Sequence, residues 1–129
     1  MPTELAVLGL SVILLLVHIM IQGQIATRGH GLQWNAGPRD GDNAPASPLA
    51  GRAARALSNY QETYPAFIAL ALGLTVTGQT GGIAAIGAIT WLVARILYMP
   101  LYLLGVAYVR SLVWITAMLG LLLMLVRFF

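Results

Sequence analysis

The chain has 129 residues, of which 59% are hydrophobic and only 9% charged, with a formal net charge of +3. An average soluble domain is about 45–50% apolar and about 25% charged, so this chain lacks the charge to solvate a globular surface and is too apolar to be disordered. With a mean hydropathy of +0.83, what remains is a small integral membrane protein.

The N-terminus, Met1-Pro2-Thr3-Glu4-Leu5, lacks the basic start of a secretory signal. A first span is expected over about 3–26, its apolar run interrupted by Ser11, His18, Gln22 and Gln24. Glu4 falls at the positive end of its helix dipole. The segment 27–51 is rich in Gly, Pro, Asn, Asp and Ser and reads as a long loop. Tyr64–Thr77 is too short to cross a bilayer, which takes roughly 20 residues. Starting the helix inside Arg52–Tyr60 makes it long enough, so a second span is expected over 52–78. Short Gly78–Gly82 leads to a third span over 82–104, containing Arg95, with Pro100 expected to weaken or kink it. A fourth covers 108–128, with Arg110 at its start and Arg127 at its end. No ten-residue alternation points to barrel strands. The fold class is therefore all-α, a four-transmembrane-helix bundle in a single domain.

All seven basic residues are Arg, and there is no Lys. Arg28, Arg39, Arg52, Arg55 and Arg110 lie on the side of the first and third loops, and Arg127 alone lies with the termini. The positive-inside rule then puts loop 27–51 in the cytoplasm and both termini outside, with Asp40 and Asp42 counting little. The Arg residues are spread along helix ends, so no basic cluster for nucleic acid exists. There is no Cys, hence no thiolate nucleophile, and no His/carboxylate group has metal spacing.

In the second span, Arg52, Arg55, Asn59 and Glu62 share one helical face, which Ala66, Ala69, Gly73 and Thr77 continue. Charged groups there cannot face lipid. They form either an internal lock, Glu62 pairing with Arg55 or Arg95, or an anion site of Arg forks at the membrane edge. In the third span Trp91, Arg95, Tyr98 and Tyr102 share a face, which reads either as a continuation of that site or as an aromatic belt. His18 and Gln22 sit one turn apart in the first span, where a hydrogen bond to a neighbouring helix and a site role are both open.

The pattern Arg52-x-x-Arg55-Ala56-x-x-Asn59-x-x-Glu62-x-x-Pro65 resembles the signature of the MAPEG superfamily, the membrane-associated proteins in eicosanoid and glutathione metabolism. Ala94-Arg95-x-x-Tyr98-x-x-x-Tyr102 resembles that family's second motif, and the stretch Tyr102–Trp114 is most similar to its bacterial branch. The resemblance implies a homotrimer in a bacterial inner membrane, with glutathione as co-substrate held between adjacent subunits. Its implied contacts are Arg55, Asn59, Glu62, Tyr98 and Tyr102, with Arg95 nearby and Arg52 beside them. Arg110 would stabilise the thiolate. Two departures stand out: Gly51 replaces the acidic residue usual before Arg52, and Arg110 is the only Arg at the junction of the third and fourth helices. The implied activity is that of a glutathione transferase or peroxidase toward lipophilic electrophiles. The alternative is a non-catalytic protein that binds a membrane lipid or partner helix in the same cleft.

Overall fold

The structure, a computed structural model, describes residues 1–38, 45 and 47–129. Among them the regular structure is helical: α1 (Thr3–His30), short α2 (Leu32–Ala36), α3 (Pro48–Val76), α4 (Ile83–Leu103) and α5 (Tyr108–Phe128). Arg39, expected to set topology, lies with Asp40 and Asp42 outside the described residues.

α1 runs about one turn past its expected end, because nothing breaks the helix until Gly31, whose φ of 95° suits glycine. At 28 residues it is about 42 Å long, more than a bilayer core. Its buried residues are Glu4, Val7, Ser11, Leu14 and His18, while Leu10, Ile13, Leu16 and Met20 are exposed. Polar groups inside and apolar groups outside is the reverse of a water-facing helix, and fits one surrounded by lipid.

α3 starts at Pro48 rather than 52. The Ser47 hydroxyl accepts a hydrogen bond from the Ala50 N–H at 3.1 Å, and Pro48 holds the first helical position. Losing that cap in Ser47→Ala is expected to cost about 1 kcal/mol, read as a lowered thermal midpoint in detergent. At its other end the Gln79 N–H bonds the Leu74 carbonyl, and Gly78 takes a φ of 70°. Both Pro65 in α3 and Pro100 in α4 sit inside continuous helix; α4 carries on past Pro100 to Leu103.

The long helices run antiparallel. At one end, the wholly buried Glu4 accepts a hydrogen bond from the Gly81 N–H at 2.8 Å, tying the start of α1 to the α3–α4 turn. At the same end Phe128 packs on Gly73. The most extensive packing is between α4 and α5. There a Cβ added at Gly87 would lie 2.5 Å from the Gly120 carbonyl oxygen, so the two backbones touch. Trp91 fills the bundle centre, stacked on Phe67 with ring centroids 4.0 Å apart. Around it the Tyr60 hydroxyl donates to the Ser11 carbonyl at 2.6 Å, and the Ser11 and Tyr64 hydroxyls bond each other at 2.8 Å.

By length and composition α1, α4 and α5 qualify as membrane spans. α3 is the longest helix at 29 residues, but its first half carries Arg52, Arg55 and Glu62.

Candidate functional site

The half of the bundle away from the two termini brings α3, α4 and α5 together around two tyrosines. Tyr98 and Tyr102 lie one turn apart on α4, with ring centroids 5.6 Å apart. Arg55 of α3 reaches Tyr102 from one side, its Nε donating to the phenol oxygen at 3.3 Å. Arg110 of α5 reaches it from another, its guanidinium 4.6 Å from the ring centroid. A guanidinium over an aromatic face is held by the ring quadrupole. Two cations from different helices thus meet on one phenol.

Beside them opens a cleft of about 440 Å³, lined by Asn59, Tyr98, Tyr102, Arg110, Ser111 and Trp114, with Ile115 completing the wall. That volume is within the range of small-molecule sites. No acidic side chain lines it, and Arg110 makes its wall positive. Such a surface suits an anionic ligand carrying carboxylate and carbonyl oxygens.

Arg95 stands behind this cleft. It is fully buried, its Nη1 donates to Asn59 Oδ1 at 2.9 Å, and its guanidinium lies 4.6 Å from the Tyr98 ring and 5.3 Å from the Tyr60 ring. The lock considered from spacing, Glu62 with Arg55 or Arg95, does not form among the described residues. Asn59, one turn before Glu62, takes the buried guanidinium, and Arg55 turns to Tyr102. Glu62 is exposed and makes no ion pair among the described residues. Asn59 satisfies only one of Arg95's donors; Nε and Nη2 have no partner among the described residues.

The remaining residues separate. Arg52 lies outside the cleft: its Nη1 donates to the Leu103 carbonyl at 3.4 Å, and its guanidinium packs beside Gly105, so it caps the C-terminus of α4. His18 is buried in the core against Tyr60, with ring centroids 5.0 Å apart, and does not line the cleft. His30 stacks on Trp34. No group of three His, Cys, Asp or Glu able to hold a metal occurs among the described residues. Three cleft residues were not expected from the sequence: Ser111, Trp114 and Ile115. The available signal was their position on α5, where Trp114 follows Arg110 by one helical turn and so shares its face.

A family model described as the MAPEG family matches residues 5–129. No curated protein and no solved structure matches the chain.

Proposed function

This chain belongs to the MAPEG family, and from that premise we propose that it is a four-span protein of a bacterial inner membrane, forming a homotrimer that binds glutathione between adjacent subunits. In this reading it activates the glutathione sulfur for attack on lipophilic electrophiles. The observation that carries the reading is the convergence of Arg55 and Arg110 on Tyr102 beside a cleft with no acidic lining. Glutathione carries two carboxylates and two peptide carbonyls, so it matches a wall of cations and donors. The side carrying the α1–α3 connection, expected from the sequence as a loop over 27–51 but holding the end of α1, α2 and the start of α3, would be cytoplasmic and both termini outside. α3 serves as the fourth span: its apolar second half lies in the bilayer, and its polar first half is covered by ligand and neighbouring subunit.

When bound, glutathione supplies a nucleophilic sulfur, which a chain without Cys cannot supply itself. The chain's residues do the rest. Arg55 holds a carboxylate, Asn59 donates to a carbonyl oxygen, and Glu62 is free to take the ammonium group. Arg110 places a positive charge at the cleft, favouring the thiolate over the thiol. The thiol proton leaves to solvent, and the sulfur lone pair then forms the bond to the electrophile, either displacing a leaving group that departs with its bonding pair or opening a conjugated double bond whose electron pair takes a proton from water. Apolar co-substrates would arrive through the lipid that surrounds the bundle.

Isothermal titration of glutathione into purified protein tests the site. Arg55→Ala is expected to weaken binding about tenfold to a hundredfold, since it removes a charge-assisted hydrogen-bond donor. Absence of binding in the parent, or equal affinity in both proteins, overturns the assignment.

One observation favours a second reading. Glu62 is exposed on the subunit surface without a partner, which suits an assembly contact in a non-catalytic protein binding a lipid or partner helix in the same cleft. That reading expects Glu62→Gln to dissociate the trimer on native mass spectrometry and added glutathione to have no effect.

A further inference from the structure

The polarity of the cleft depends on a residue that does not line it. Asn59 lines the cavity and bonds Arg95, which lies wholly buried outside the lining. A guanidinium has donors only. The Asn59 atom that meets Nη1 at 2.9 Å is therefore the carbonyl oxygen. Its amide nitrogen has no partner among the described residues and is not among the buried unpartnered atoms, so it stays open for a ligand. A flipped amide would set N–H against N–H at hydrogen-bond distance. It would also leave Arg95 without any acceptor, since Nε and Nη2 already lack one. Both consequences oppose the flip, and the low dielectric of the core strengthens the opposition.

We infer that Arg95 is a positioning residue: it locks the Asn59 amide with its NH2 toward the cleft, making that wall select ligands by their carboxylate and carbonyl oxygens and reject ammonium groups. Tyr102 follows the same logic. Its oxygen accepts from Arg55 Nε, so its own proton points elsewhere and is available to a ligand acceptor. Ser111 is the exception, because its hydroxyl donates to the Ala107 carbonyl and keeps only lone pairs to offer. The amide lock thus sets which end of an amphoteric ligand lies against α3 and α4.

This inference rests on the proposed anionic ligand, and its test separates the two. Asn59→Asp keeps the side-chain shape, gives Arg95 a charged partner, and replaces the cleft donor with an acceptor. It is expected to weaken glutathione binding about tenfold to a hundredfold while melting at or above the parent temperature. Asn59→Ala, which strips Arg95 of its acceptor, is expected to melt below both. Were Asn59 needed only to pair Arg95, Asn59→Asp would keep binding as well as stability, and that result overturns the inference. So does an Asn59→Asp protein that melts at or below Asn59→Ala, for then the carboxylate does not meet the guanidinium. A parent that binds no glutathione overturns the ligand assignment, and the melting order of the three proteins still decides the lock.

Discussion

Replacing Gly120 by leucine is expected to prevent α5 from docking on α4 and to leave little folded protein after detergent extraction. A Cβ at Gly120 would lie 2.6 Å from the Gly87 carbonyl oxygen, 2.8 Å from the Trp91 nitrogen and 3.2 Å from its Cα. All three are backbone atoms of one helix, so no rotamer change relieves the clash and α4 and α5 must move apart as bodies. That separation undoes the most extensive helix packing among the described residues and disturbs Trp91, which stacks on Phe67 and Tyr64. It also displaces Arg110 and Trp114 from the cleft they line with α4. Overpacking costs about 1–3 kcal/mol and more where backbone must shift, and leucine adds three carbons beyond the Cβ. Even Gly120→Ala is expected to lower the melting temperature, although alanine gains roughly 1 kcal/mol in helix propensity.

Two other glycines act as controls. A Cβ at Gly73 would meet only the ring of Phe128, at 2.6 Å, which is the far end of a side chain rather than backbone and can swing away. Gly9 has nothing within 4 Å. Alanine at Gly73 should therefore cost little, and alanine at Gly9 should stabilise by about 0.5–1 kcal/mol. A melting series of the three alanine variants checks the order: Gly9→Ala highest, Gly120→Ala lowest. A Gly120→Ala protein as stable as Gly9→Ala would mean that the two backbones do not touch.

This glycine contact illustrates what a sequence conceals. Gly87 and Gly120 are 33 positions apart, and no local pattern pairs them. What periodicity could tell was which residues share one helix face, and it placed Asn59 with Arg55 on α3 and Tyr98 with Tyr102 on α4. Both pairs meet at the cleft or its edge. Periodicity could not say which polar group crosses to which. Charge alone pairs Glu62 with an Arg, yet the helix crossing sets Asn59 against Arg95 and leaves Glu62 on the surface. Arg52 shares the helical period of Arg55, but it lies one turn nearer the start of α3 and so reaches the end of α4 rather than the cleft. Two helix ends depart from expectation for local reasons, while α4 and α5 fall within a residue of it: the Ser47-Pro48 cap outweighs a turn-rich composition, and α1 continues until Gly31.

Arg110→Ala is expected to lower turnover of glutathione with a lipophilic electrophile about 10²–10³-fold, the usual effect of deleting one preorganised donor from a charge-stabilising site. Arg110 is the only cation α5 contributes at this end, since Arg127 lies a whole helix away. It is half-buried on the cleft wall and held over the Tyr102 ring, which fixes its position before any ligand arrives. A charge placed this way favours thiolate over thiol without holding the peptide. In the proposed function Arg55 has the other task, holding the peptide, so Arg55→Ala should raise the KM for glutathione more than it lowers kcat, and Arg110→Ala the reverse. Lysine at 110 should restore part of the rate, because it brings the charge but not the planar group that stacks on Tyr102. The ultraviolet absorbance of bound thiolate gives an independent measurement. It should be lost in Arg110→Ala and kept in Arg55→Ala at saturating glutathione. If the absorbance persists without Arg110, the thiolate is stabilised elsewhere and this role for Arg110 fails.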